Sequence, residues 1–127
     1  LGRSAPSMEK IMITKIKSVL TPDLLKPEYR EKNKTNPMYG HCYAASEAAY
    51  HLFAKADGFF PVRDRDSRGV CHWWLENPQG ERLDITGDQY FSVGRVPPYF
   101  YRAGKRGGFL TKEPSKRARK IMERVKS

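Results

Sequence analysis

The chain has 127 residues, 39% of them hydrophobic and 30% charged, the size and composition of one folded domain and not of a disordered tail. No apolar run approaches the roughly 20 residues that a membrane-spanning helix needs. Two cysteines without a CxxC pair exclude a zinc ribbon and a thioredoxin-type redox motif, and read as reduced thiols of a cytoplasmic protein.

The formal net charge of +10 comes from 24 basic and 14 acidic residues and is unevenly spread. From Arg102 to Ser127 ten Lys or Arg face Glu113 and Glu123, a net +8 that leaves only +2 for residues 1 to 101. Lys105, Arg106, Lys116, Arg117, Arg119 and Lys120 are the candidates within it for binding nucleic acid or an acidic protein. A solvated basic helix is the plainer reading of the same run.

Residues 1 to 7, LGRSAPS, have neither the basic start nor the apolar stretch of a secretory signal. They read as a vector-derived remnant outside a single domain spanning 8–127. From Glu9 to Leu20 the spacing of Ile13, Ile16, Val19 and Leu20 predicts an amphipathic helix. Thr21-Pro22-Asp23 stops it and opens a short turn, TPDLL. KPEYREKNKTNPMYG, with two prolines and little periodicity, reads as a connecting loop. CYAASEAAYHLFAKA is the strongest helix signal, rich in Ala and free of Gly and Pro, and reads as a central helix packed on two sides. The period then changes: VCHWWLEN predicts a strand, NPQG a turn, and ERLDIT a second strand. GDQYFSVGRVPPYFYRAGKRGGFL mixes aromatics with Gly and Pro and has room for one or two short strands. Pro114 suits the first turn of a last helix whose Ala118, Ile121, Met122 and Val125 share one face. The pattern is α+β.

Cys42 stands at the first turn of the strongest helix, where unpaired backbone N–H groups and the positive end of the helix dipole favour a thiolate. A nucleophile needs a base, and His72 on the first predicted strand is the candidate, with Asp84 on the next strand to hold the imidazole in one tautomer. In NPQG, Pro78 and Gly80 describe a three-residue hairpin loop with a glycine bulge. Asn77 then pairs with Glu81, Trp74 faces Asp84 and His72 faces Thr86, so His72 and Asp84 are diagonal neighbours on one face. A two-residue loop shifts the register by one and puts Asp84 on the opposite face, beside Trp73. Each residue alone also has a plain structural reading, Cys42 as a small buried hydrophobe and His72 as a packed ring beside Trp.

His41-Cys42 and Cys71-His72 contain four possible zinc ligands, but neighbours on a strand point to opposite faces, so no metal site is expected. Phosphate-binding and dinucleotide motifs are missing, and no cofactor is expected.

The segment Gly40-His41-Cys42-Tyr43-Ala44-Ala45-Ser46 resembles the start of the active-site helix in papain-like enzymes, and HWWLENPQGERLDIT resembles the histidine hairpin of papain-like and transglutaminase-like proteins. GHCYAASEAAYHLF, HWWLENPQGERLDITGDQY and PSKRARKIMERV together resemble the YunG family of small bacterial proteins, over about residues 36 to 125. The resemblance implies a papain-like fold with an N-terminal helix and the nucleophile helix packed on a small antiparallel sheet, followed by a basic C-terminal helix. It implies Cys42 as nucleophile, His72 as general base and acid, Asp84 as orienting residue, and Asn36 as an oxyanion donor with the Cys42 N–H. Gln89, beside Asp88, and Trp74 are expected in or near the cleft. The activity expected is hydrolysis or acyl transfer on an amide, isopeptide, thioester or ester through an acyl-enzyme. The alternative is a non-catalytic binding module that holds nucleic acid or an acidic protein through its basic segment.

Overall fold

Helix α1, Ser7–Ser18, follows the predicted spacing: Ile16 and, just beyond the helix, Leu20 are buried, with Ile13 and Val19 packed at the rim of the core. The computed structural model describes residues 7–127; of the segment 1–7 expected outside the domain, residues 1–6 lie outside the described residues, and Ser7 is the first residue of α1. A single 3₁₀ turn follows at Pro22–Leu24. The segment expected to be a connecting loop instead contains helix α2, Pro27–Asn33. Pro27 holds its first position, where a missing N–H costs nothing; without an apolar face, periodicity alone does not reveal this helix. Asn33 is buried and its Nδ2 donates to the carbonyls of Pro37 at 2.9 Å and Tyr39 at 3.0 Å. Polar bonds therefore fix the chain that leads to Cys42.

Helix α3 starts at Cys42, runs to Ala49, and widens into a π-helical turn at Tyr50–Ala54. Ala44, Ala45, Ala48 and Ala49 are all buried, because α1 and α5 pack on one side of α3 and the sheet on another. Small side chains permit this close approach.

Strands β1 (Phe60–Arg65), β2 (Cys71–Glu76), β3 (Arg82–Leu83) and β4 (Lys105–Arg106) form an antiparallel sheet in the order β3-β2-β1-β4. Among the described residues the fold is α+β, with five α-helices and this small sheet. β1 lies outside the predicted strands, and a proline inside FFPVRDR is unusual in an interior strand. Pro61 is accommodated because β4 pairs only with Val62 and Arg63, and on that side Pro61 uses only its carbonyl, which accepts from Gly107 N at 3.1 Å.

The β2–β3 hairpin has the three-residue loop. Leu75 lies opposite Leu83 and Glu76 opposite Arg82; Asn77 N donates to Glu81 O at 3.1 Å and Gly80 N to Asn77 O at 3.0 Å. Gly80 has φ +81°, the left-handed conformation that glycine adopts without penalty. Asn77 Oδ1 accepts from the N–H groups of Gln79 and Glu81, locking the loop from inside.

Beyond β3, a one-turn helix α4 (Asp88–Phe91) and a 3₁₀ turn at Pro98–Phe100 cover the sheet face that carries His72 and Trp74. Helix α5, Lys116–Lys126, buries Ala118, Ile121 and Val125, with Met122 half-buried. Its cap is Ser115, whose Oγ accepts from Ala118 N at 3.3 Å. Pro114 therefore precedes the cap and does not enter the first turn as expected. No helix among the described residues is long and apolar enough to cross a membrane.

Candidate active site

Gly40 sets the start of α3. Its φ is +88°, and a Cβ there would lie 2.8 Å from Leu25 Cδ2 and 3.2 Å from Tyr29 Cβ, so no larger residue fits this turn. No side chain caps α3 and its first turn holds no acidic residue. The backbone N–H groups around Cys42 thus keep their positive potential. Because β3 pairs only with Leu75 and Glu76, the earlier part of that edge of β2 is left to α3. Ser46 Oγ donates to Trp73 O at 3.3 Å, and one turn earlier the Cys42 thiol approaches Cys71 O at 3.9 Å. Cys42 and Cys71 are both free thiols.

His72, the second residue of β2, is fully buried. Its Nε2 lies 2.8 Å from Asp84 Oδ2, in the diagonal relation that the hairpin register dictates. The ring stacks on Trp74 with centroids 5.8 Å apart and meets Tyr90 edge-on at 4.9 Å. With Nε2 committed to Asp84, Nδ1 is the ring nitrogen left for the thiol, the reverse of the serine-protease arrangement. Nδ1 has no partner of regular hydrogen-bond geometry, yet Cys42 is close enough to act on the ring. Burial lowers the imidazole pKa, but the Asp84 hydrogen bond and the Cys42 side chain outweigh it and hold the pKa up at about 10. A close but unaligned thiol and imidazole are common in active sites without substrate.

Asp84 follows β3 directly and its side chain is 6% exposed. Oδ2 also accepts from Tyr99 Oη at 2.9 Å, whereas Oδ1 is buried without a hydrogen-bond partner. Burial first, and then the Asp84 charge, raise the Tyr99 phenol far above its ordinary range, so Tyr99 stays a donor.

Cys42 opens into a cleft of about 310 Å³ whose lining includes Tyr29, Tyr43, Cys71, Trp73, Gln89 and Arg117. Gln89 lies where it was expected; it is buried, and its Oε1 has no partner. Asn36 does not. Its Nδ2 donates to Gln89 O at 2.8 Å, so it braces α4 and is not aimed at the thiol. Nor does Trp74 line the cleft: it is wholly buried behind His72, its Nε1 donated to Glu76 Oε2 at 2.8 Å. Asp88 is drawn away by an ion pair with Lys17 at 2.6 Å. His41 is buried, and desolvation followed by the Arg117 charge lowers its pKa to about 4, which keeps it neutral.

The basic residues do not form one patch. Lys116, Arg119 and Lys120 are exposed on α5, Arg117 turns into the Cys42 cleft, and Lys105 and Arg106 form the edge strand β4. Arg106 stacks on Phe60 at 3.9 Å and lines a separate groove.

Two supports were not read from the sequence. Tyr99 lies among aromatics whose order no periodicity reveals. Asp66, in the turn DRDSRG, accepts from Arg68 N at 2.8 Å, Val70 N at 2.9 Å and Tyr90 Oη at 2.9 Å, and so holds Tyr90 against His72. The Asp and Gly of that turn are the signal that finds it. Comparison of the chain with family models, with curated proteins and with solved structures gave no match.

Proposed function

We propose that the chain is a papain-like cysteine hydrolase or acyltransferase that uses Cys42, His72 and Asp84. The single observation that carries this reading is the shared geometry of His72: Nε2 bonded to a buried carboxylate, and the other nitrogen left to a thiol that opens into a cleft. A purely structural histidine needs no such thiol, and a buried structural cysteine needs no cleft. The resemblance of GHCYAAS and HWWLENPQGERLDIT to the YunG and papain-like families supports the same assignment.

In this reading the Cys42 thiolate attacks a carbonyl carbon, forming the C–S bond and a tetrahedral oxyanion. The Cys42 N–H and the Gln89 amide stabilise that oxygen; Gln89 takes the part first expected of Asn36. As the C–N, C–S or C–O bond to the leaving group breaks, His72 Nδ1 gives its proton to that group. His72 then takes a proton from water or another nucleophile, which attacks the thioester and releases the acyl group and the thiolate. Asp84 keeps Nε2 protonated throughout. The test is labelling with an acyl-type electrophile followed by mass spectrometry: the acyl group is found on Cys42, and His72→Gln slows labelling at least a hundredfold. Equal labelling of Cys71, or no effect of His72→Gln, contradicts the reading.

A second reading rests on a different observation. A groove of about 630 Å³ is lined by Lys55, Arg106 and Lys112 together with Tyr50, Phe60 and Phe109, and no carboxylate lines it. Cations interleaved with aromatic rings suit a single nucleic-acid strand. As a binding module the protein retains salt-sensitive binding of single-stranded DNA in Cys42→Ala and loses it in Arg106→Gln; binding that is absent, or unaffected by salt, removes this reading.

A further inference from the structure

The cleft at Cys42 is lined by positive charge and by no carboxylate. Lys26 and Arg117 line it, and no Asp or Glu does. Among the described residues neither cation has a carboxylate partner. Two carboxylates on adjoining elements bond elsewhere, Glu47 to Ser115 and Asp23 to Arg124. The uncapped start of α3 adds its own positive potential at the same place. Arg117 is only half-exposed, and its charge reaches the start of α3, where it acts on His41 and Tyr43 while the charges of Asp23 and Glu47, respectively, act on them in the opposite sense. The remaining wall is aromatic, with Tyr43 edge-on to Trp73 at 4.9 Å.

We propose that the acyl donor taken at Cys42 is anionic, carrying a carboxylate that Lys26 and Arg117 bind while its apolar part lies against Tyr43 and Trp73. This rests on the reading of Cys42 as a nucleophile. A guanidinium without a carboxylate partner, in the same cleft as a thiol, is the group that holds a carboxylate in two parallel hydrogen bonds. The positive wall concentrates anions near the thiolate and rejects cationic acyl groups.

The probes are iodoacetate and iodoacetamide, equal in chemistry and differing in charge. Each forms one C–S bond at Cys42 and releases iodide. On the full chain at pH 7 and low salt, the rate ratio of iodoacetate to iodoacetamide at Cys42, followed by mass spectrometry, is expected to exceed that of free cysteine by about tenfold. The excess falls severalfold in Arg117→Gln and in Lys26→Gln and shrinks at 0.5 M NaCl. Lys126→Gln, on the far turn of α5, keeps the ratio. A ratio equal to that of free cysteine, or one that survives in both variants, overturns the inference while leaving the nucleophile in place. A Cys42 that reacts with neither reagent overturns the nucleophile and the inference together.

Discussion

Tyr99 Oη and His72 Nε2 meet on one oxygen, Asp84 Oδ2, at 2.9 and 2.8 Å. Two donors converging on a single carboxylate oxygen fix its position from two directions, and the imidazole inherits that position. Tyr99 is thus a positioning residue: it touches Asp84 and not the cleft. Tyr99→Phe removes the hydroxyl and keeps the ring against Trp74. Loss of a buried hydrogen bond to a charged group costs about 1.5–3 kcal/mol, readable in urea unfolding. Cys42 alkylation is expected to slow about tenfold, with the alkaline limb of its pH profile displaced. A stability loss without displacement of the profile would reduce Tyr99 to a packing residue.

Asp84→Asn tests the sign of the His72 shift. The folded imidazole titrates at about 10, above an unfolded value of about 6.5. Stability from the charged His72–Asp84 pair is therefore complete below about pH 6.5 and is lost as the pH rises toward 10. Removing the carboxylate leaves burial in control, and burial lowers the imidazole pKa. The wild-type protein should exceed Asp84→Asn in urea midpoint by most near pH 6, the gap closing toward pH 10. In the proposed reaction, acylation of Cys42 should slow about 10³- to 10⁴-fold, as when a triad loses its orienting carboxylate. A gap that widens as the pH rises shows that His72 is held neutral.

The residues that form the site were legible for specific reasons. Cys42 follows from a helix signal with a sharp start, and the His72–Asp84 relation follows from Pro78 and Gly80, because a side-chain period of two turns loop length into a prediction of which face a residue occupies. Helix α5 was legible from one apolar stripe. What failed lacked a periodic signal. α2 packs without an apolar face, β1 contains Pro61, and α4 with the Pro98–Phe100 turn is held by aromatic and polar contacts made across the chain. Asn36 and Trp74 were misplaced because sequence distance from Cys42 or His72 does not say which way a side chain points.

The hairpin loop itself can be tested by shortening it. Gly80→Ala forces a Cβ into a left-handed turn, though nothing crowds it, so the cost is about 1–2 kcal/mol of stability with the register kept. Cys42 alkylation should barely change. Deleting Gln79 makes the loop two residues long and moves Asp84 to the other face of the sheet. His72 then loses its carboxylate, and alkylation should fall at least a hundredfold in a protein that still shows its folded circular dichroism. Retained reactivity in the deletion variant means that His72 does not depend on Asp84.

Glu47 ties α3 to α5. It is wholly buried on α3, and its two oxygens accept from Ser115 N at 2.9 Å and Ser115 Oγ at 2.7 Å. That Oγ in turn accepts from Ala118 N, so one buried carboxylate completes the cap of a helix distant in sequence. Glu47→Ala leaves both Ser115 donors without their acceptor and opens a cavity where the buried carboxylate stood, at a cost of about 3–5 kcal/mol. Ser115→Ala removes only the hydroxyl and its cap, for about 1–2 kcal/mol. Because Arg117 stands two residues beyond Ser115, loosening this junction also moves a cation of the cleft. Ser115→Ala, which keeps every charge, should therefore lower the preference of Cys42 for iodoacetate over iodoacetamide at urea concentrations well below its unfolding midpoint, whereas Glu47→Ala also removes a negative charge that reaches Tyr43 in the cleft wall and should lower it less. Equal preference in both variants at matched stability would separate the junction from the cleft.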